Sequence, residues 1–386
     1  MNYIANVRIP SERAHGLQIF KMCEAFMKSG EQLCLVYPVR VQSQSMHSFK
    51  DPFQYYEIQQ RFRLQKVFCV DLQGWLEAYV SPKIGHILFV LQASTFAFFA
   101  TLYCGFSREK ICFTRDLYFA IFFSFVKKLF HKKMFFEEHM IPGKHHRLYQ
   151  KMLMKTDGIF VLTSLMKQEL ETMGIPSEKI RVAPDACSPF PEYVAFPQEF
   201  LPFQEQTRLV YTGHLMPWKG VYTLAQAMKY LPSHYSCFFI GGLPKDIQAM
   251  KDFITQEQIP NCHLLGHFPI VKIPEFLAAA TILVLPNTAK EVISQKYTSP
   301  LKLFEYLSAE KPIIASDLPS LREILIHNHN AWLVPPDDPK ALAEGILFLK
   351  NHLEIVNALA KQAKKESPLY TWENRALRLL EFIYAS

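Results

Sequence analysis

Short apolar runs and amphipathic helical stretches alternate along almost the whole chain, and the series starts afresh near its middle. A parallel strand is reached only by crossing back over a face of the sheet, so this alternation specifies parallel sheets covered by helices. The first series opens with "YIANV", a loop "RIPSERAHG", and a helix with Ile19, Phe20, Cys23, Phe26 and Met27 at helical spacing. Ser29-Gly30 ends that helix, and "LCLVYP" is the next strand. "KICFTRD", "MFFEEH" and "GIFVLTS" read as further strands, "LMKQELETMG" as a helix closed by Gly174, and Ile180-Arg181-Val182 as a strand. The second series starts at "RLVYTG". It runs through a helix over Val221–Leu231, "CFFIGG", a helix from Lys245, "CHLLG", a short helix near Glu275, "TILVLP", a helix at Ser299, "PIIAS" and "AWLVP", ending in helices. Between the series, residues 188–206 are rich in Pro and Phe and lack periodicity, as in a linker. The expectation is α/β: two doubly wound domains, 1–187 and 207–367, facing a central cleft, with the chemistry in loops that follow strands.

Several function classes are excluded. There is no Walker P-loop, no GxGxxG after a strand and no GxSxG elbow. The net charge of +7 suits phosphates, nucleotides or acidic lipid, but no nucleic-acid-binding pattern is present. The eight cysteines show no CxxC spacing and read as reduced thiols of a cytoplasmic protein. The N-terminus "MNYIANVRIP" lacks the pattern of a signal peptide. Ile87 to Phe106 carries no charge and is long enough to span a bilayer. Gln92, Ser94, Thr95 and Thr101, and the absence of Lys/Arg-rich flanks, favour a buried strand and helix there instead.

Four constellations carry chemistry. In "TSPLKLFEYL", Ser299 suits a helix N-cap and Pro300 the first helical position, leaving the Leu301 and Lys302 amides for an anion such as a diphosphate. Glu305 is placed to accept hydrogen bonds from a vicinal diol; a well-capped helix with a surface Glu is the plain alternative. In "YTGHLMPWKG", Gly213 lets backbone approach a ligand while His214 and Lys219 supply donors; a turn with a solvated lysine fits as well. In the first half, Gly16 opens a helix, and "TRD" and "EEH" follow strands, putting His139 within reach of a sugar hydroxyl or a proton; a structural histidine after a strand is the plain alternative. The run "KKLFHKK", residues 127–133, reads as a solvated helix end or as a basic aromatic patch for anionic membrane.

Together these segments resemble the family 4 retaining glycosyltransferases, which have the GT-B fold. "VYTGHLMPWKGVYTLAQAM" is similar to that family's glycine turn and phosphate lysine, and "YTSPLKLFEYLSAEKPIIASDLPSLREIL" with "AWLVPPDDPKALAEGI" to its donor-binding core. "IPSERAHGLQIFKMCEAFMKSG" resembles the opening loop and helix, and "YTWENRALRLLEFI" the last helix, which in that fold crosses back so that 368–386 would pack on the N-terminal domain. The resemblance implies Glu305 as the second Glu of E-x7-E, holding ribose, and Lys219 on the diphosphate. It implies His214 where many members have Arg, Ser299, Leu301 and Lys302 at the phosphate, Gly16 and Gly213 close to the donor, and His139 near the transferred sugar. His139, Lys219 and Glu305 would be the catalytic set. Tyr297 stands where the first Glu of the motif belongs, and Glu291 is out of register.

The implied activity is transfer, with retained configuration, from a nucleotide-diphosphate-sugar to a glycan or lipid-linked acceptor, without metal or other cofactor. A nucleotide-sugar 2-epimerase and a non-catalytic nucleotide-sugar-binding homologue are the alternatives. The expected setting is cytoplasmic, peripheral on the inner face of an anionic membrane, with no nucleic-acid partner.

Overall fold

The computed structural model describes residues 1–11, 13–42, 46, 49–72, 81–142 and 147–386; Glu12 of the opening loop lies outside them. Two units result: Met1–Ala183 with Trp372–Ser386, and Pro184–Thr371.

In the first unit, strands β1 (Asn2–Ile4), β2 (Cys34–Pro38), β3 (Arg63–Val67), β4 (Ile111–Thr114), β5 (Lys133–Glu138), β6 (Gly158–Val161) and β7 (Ile180–Val182) form one sheet. Its order is β3-β2-β1-β4-β5-β6-β7, and every pairing is parallel. Helices α1 (Ala14–Lys28), α2 (Pro52–Tyr55), α3 (Pro82–Phe106), α4 (Leu117–Val126), α5 (Arg147–Lys155) and α6 (Ser164–Thr172) connect the strands. The buried stripe of α1 includes Ile19, Phe20, Cys23 and Phe26, as the spacing predicts. Asp116 caps α4 by accepting from the Phe119 N–H at 2.6 Å, and Thr163 caps α6 from Met166 at 3.2 Å. The uncharged stretch is one long helix, α3, rather than a strand and a helix; the edge position beside β2 is taken by β3, from earlier in the chain.

In the second unit, β8 (Thr207–Thr212), β9 (Tyr235–Ile240), β10 (Cys262–Gly266), β11 (Ile282–Leu285), β12 (Ile313–Ser316) and β13 (Trp332–Val334) are ordered β10-β9-β8-β11-β12-β13, again all parallel. They alternate with α7 (Val221–Ala227), α8 (Pro244–Gln256), α9 (Ile273–Ala279), α10 (Leu301–Ser308), α11 (Pro319–Arg322), α12 (Pro339–Asn351) and α13 (Leu353–Glu366). Within the stretch read as a linker, Phe200 is fully buried, its ring 4.3 Å from Phe238 and 5.3 Å from Phe276. The last helix, α14 (Trp372–Ala385), belongs to the first unit, where Phe382 packs on Phe160 at 5.4 Å.

In both sheets the strand order reverses beside the first strand of the series, at β1/β4 and at β8/β11. Loops at the carboxyl ends of these strands diverge to opposite faces and leave a crevice, the usual place for a ligand in such folds.

Candidate functional site

At the second unit's switch point, β8 runs into Gly213, whose φ of 115° is closed to other residues. A Cβ there would stand 3.2 Å from the Lys302 Nζ and 3.3 Å from its Cε, so the missing side chain is what admits Lys302. After β9, Gly241 has φ 113°, and a Cβ on it would lie 2.6 Å from the Gly213 carbonyl oxygen. The turns after β8 and β9 therefore pack backbone to backbone.

Lys302 is the second residue of α10 and only 6% exposed. Its ammonium lies 3.4 Å from the centre of the Tyr211 ring and has no hydrogen-bond partner. Burial, and then the neighbouring Lys219 charge, push its pKa well below that of an ordinary lysine, while Glu305 pulls the other way. Lys219 closes the single turn Pro217–Lys219, half-buried, and burial lowers it to about 8. Glu305 lies three residues after Lys302 on α10. Burial raises its pKa to about 7 against the pull of Lys302. The Tyr306 hydroxyl accepts the Thr212 N–H at 2.9 Å and pins α10 to the end of β8. A buried cation without a partner is costly, and two side by side more so. The arrangement suits an anion with several oxygens.

Other predicted residues of this half have different settings. Ser299 is not the N-cap: α10 begins at Leu301, extended Pro300 takes the cap position, and the Ser299 Oγ accepts the Asp185 N–H at 3.0 Å. One intervening extended residue carries the serine hydroxyl beyond reach of the helix amides. The first turn of α10, at Leu301 and Lys302, is consequently uncapped by any side chain. His214 is held through its carbonyl, which accepts from the Tyr211 hydroxyl at 2.7 Å. Tyr297 is buried at the end of the turn Ile293–Tyr297, so no carboxylate occupies that register, and Glu291 is exposed.

Gly16 and His139 belong to the first unit. Gly16 lies inside the first turn of α1, where a Cβ would be 2.2 Å from the Tyr56 hydroxyl. That hydroxyl accepts the Ser11 N–H at 2.6 Å and donates to the Ser11 carbonyl at 3.0 Å, so the glycine makes room for a tyrosine that fixes the loop after β1. His139 follows β5, and its Nε2 is 2.6 Å from Glu137 Oε1. Glu137 is buried, which opposes its charge, but the Arg375 guanidinium, at 3.1 Å, and His139 hold its carboxyl well below the usual range. An ionised Glu137 only accepts, so the His139 Nε2 carries the proton and Nδ1 is left as an acceptor. Burial and then the Arg115 charge lower His139 to about 4, against the pull of Glu137; it is neutral near pH 7. Arg115, just after β4, also donates to Gln18 on α1.

Sequence reasoning missed three of these parts: the Lys302 side chain, Gly241 behind Gly213, and Arg375. The last was detectable. Trp372, Arg375, Ala376, Leu379, Leu380 and Ile383 form the buried stripe of α14, and an arginine on an apolar stripe demands a buried carboxylate. Among the described residues no group of three or more His, Cys, Asp or Glu is gathered as for a metal.

Residues 206–352 match the family model described as glycosyl transferases group 1. The amylovoran biosynthesis glycosyltransferase AmsK of Erwinia amylovora is 26% identical over 62% of this chain and 59% of its own length. An uncharacterized glycosyltransferase of Methanocaldococcus jannaschii is 27% identical over 42% of this chain and 44% of its own. The chain thus spans roughly half the length of these curated relatives. HepE of Anabaena, solved in complex with UDP, aligns with a TM-score of 0.75 at 13% identity over 100% of this chain and 99% of its own. The chain has the GT-B fold, two parallel-sheet Rossmann-like domains, and its second half carries the group 1 glycosyl transferase pattern.

Proposed function

We propose that this protein is a glycosyltransferase that moves a sugar from a nucleotide-diphosphate-sugar to a glycan or lipid-linked hydroxyl. The observation that carries the reading is the buried, unpartnered Lys302 ammonium beside Lys219 at the switch point of the second sheet. The GT-B fold, the group 1 match and the UDP complex of HepE support it.

In this reading Lys219, Lys302 and the first amides of α10 bind the diphosphate. Negative charge builds on that group as the glycosidic bond to the sugar breaks, so cations already desolvated and in place stabilise the transition state more than the ground state. They supply the charge neutralisation for which other enzymes use a metal ion. Glu305 accepts hydrogen bonds from the ribose hydroxyls, and those donors favour its ionised form. In the first unit, neutral His139, oriented by Glu137, offers Nδ1 as an acceptor to a hydroxyl. Retention of configuration is the outcome that the family 4 resemblance implies; the acceptor hydroxyl then attacks from the leaving-group side and passes its proton to the departing diphosphate.

Lys219→Ala and Glu305→Ala are each expected to lower transfer by about five- to 150-fold, as lost transition-state contacts of about 1–3 kcal/mol require. Activity assays with nucleotide-sugars and acceptor extracts check this. Full activity in both variants refutes the assigned donor site, and consumption of donor without any acceptor points to an epimerase.

A further inference from the structure

Helices α3, α4 and α5 pack side by side in the first unit. Among the described residues, α3 is the one helix long and apolar enough to cross a membrane. It does not lie free to do so. Ala93, Phe96, Ala97, Ala100 and Cys104 are buried in the unit. Gln92 donates to Asn6 at 3.0 Å, and Thr95 accepts the Val70 N–H at 3.0 Å. Withdrawing α3 would strip the sheet of its cover and orphan these polar groups.

Its opposite stripe has no such cover. Ile84, Ile87, Leu91, Phe98, Leu102 and Phe106 recur at helical spacing and are all exposed, Phe106 at 79%. Phe122 and Phe125 on α4, Leu129 just after it, and Leu148 and Met154 on α5 are exposed as well. Large exposed apolar side chains gathered on three adjacent helices are the kind of surface that marks an interaction site.

Charge is laid over the same surface. Residues 82–106, 117–133 and 147–155 contain eight Lys or Arg and no Asp or Glu. The two kinds of group interleave: the Lys155 ammonium on α5 sits 3.8 Å above the ring of Phe125 on α4. Lys128, Lys133, Arg147, Lys151 and Lys155 are exposed. The nearby acids are taken up, Asp157 by Lys127 and Glu109 by the N-terminal ammonium.

We propose that the α3–α4–α5 face is a docking surface for an anionic lipid bilayer, with the helices lying in the plane of the interface. Charge complementarity selects this occupant. A second copy of the chain meeting the same face across a two-fold axis would set cations against cations. An anionic bilayer takes apolar side chains between its acyl chains and offers phosphates to the flanking lysines. The inference does not depend on the glycosyltransferase reading.

Vesicle flotation tests it. The protein is expected to float with vesicles of phosphatidylcholine mixed with phosphatidylglycerol, to stay below with phosphatidylcholine alone, and to be released by high salt. Lys128→Glu with Lys151→Glu should weaken binding about tenfold or more, since each basic residue near such a surface contributes appreciably to attachment. Phe106→Ser with Leu129→Ser should weaken it as well, with the thermal melting curve of both variants unchanged because the altered side chains are exposed. Three results overturn the proposal: no flotation of the native protein at low salt, equal flotation of the charge-reversed variant, or membrane association that resists alkaline carbonate. A dimer that Leu129→Ser converts to monomer assigns the face to a second copy instead and equally overturns it.

Discussion

Lys302 illustrates how one residue can hold stability and binding in opposition. Its ammonium is buried against Tyr211 with no acceptor, a few ångströms from the Gly213 turn. A charge so placed weakens the ligand-free fold, and the diphosphate of the proposed donor would remove the penalty. Lys302→Met keeps most of the side chain's volume and deletes the charge. The ligand-free variant is expected to melt higher than the native protein, by about 2–4 °C for each kcal/mol recovered in a unit of this size. Its stabilisation by a nucleoside diphosphate is expected to fall at least tenfold in apparent affinity. Thermal denaturation with and without UDP measures both effects. An unchanged UDP shift would show that Lys302 is an ordinary buried lysine.

At the scale of elements, α14 does more than cover the first sheet. It delivers Arg375, fully buried, to Glu137 at the end of β5, and Glu137 in turn orients His139. The Arg375 guanidinium also donates to the Ala183 carbonyl at 3.2 Å, at the last residue of the unit's first segment. Arg375→Met takes from Glu137, a buried anion, its guanidinium partner and is expected to destabilise the protein by about 3–5 kcal/mol. Adding Glu137→Gln removes that anion, so the double variant should recover much of the loss. Urea denaturation of the single and double variants gives the coupling, and strict additivity would mean that the pair does not act as one unit. α10 plays the corresponding part in the second unit: eight residues long, it presents Lys302 and Glu305 from one face and is anchored by Tyr306 on Thr212.

For the molecule as a whole, each unit keeps a carboxyl group that burial raises to about 7: Glu138 beside Tyr149 in the first, Glu305 in the second. A carboxyl whose folded pKa is raised favours the fold while it is protonated. That contribution is complete below the unfolded value of about 4.5 and is lost as pH rises through about 7. Glu138→Gln with Glu305→Gln should therefore melt close to the native protein at pH 5 and several degrees above it at pH 8, in the absence of ligand. A gap that does not change with pH would show that neither group titrates in this window. Burial lowers Lys219 to about 8, so its contribution runs the other way, lost as pH falls through that value, and the glutamine pair leaves it untouched.

The sequence by itself determined that there are two parallel α/β units, since burial on both faces leaves the central strands largely apolar, whereas the edge strand β3, RLQKV and largely uncovered, carried no such signal. It also determined the Gly213–Lys219 and Leu301–Glu305 segments, because turn and helix-start chemistry is local. Only the tertiary structure decided what those segments meet. Ser299 lost its expected cap to a one-residue shift and bonds Asp185 instead; Gly16 proved to serve Tyr56, 40 residues on in the chain. The Lys302 ammonium came to rest against Gly213, and Arg375 beside Glu137, across 238 residues of sequence. Local preference acts through bonds a few residues long, whereas a buried charge takes its meaning from whichever groups the fold packs around it.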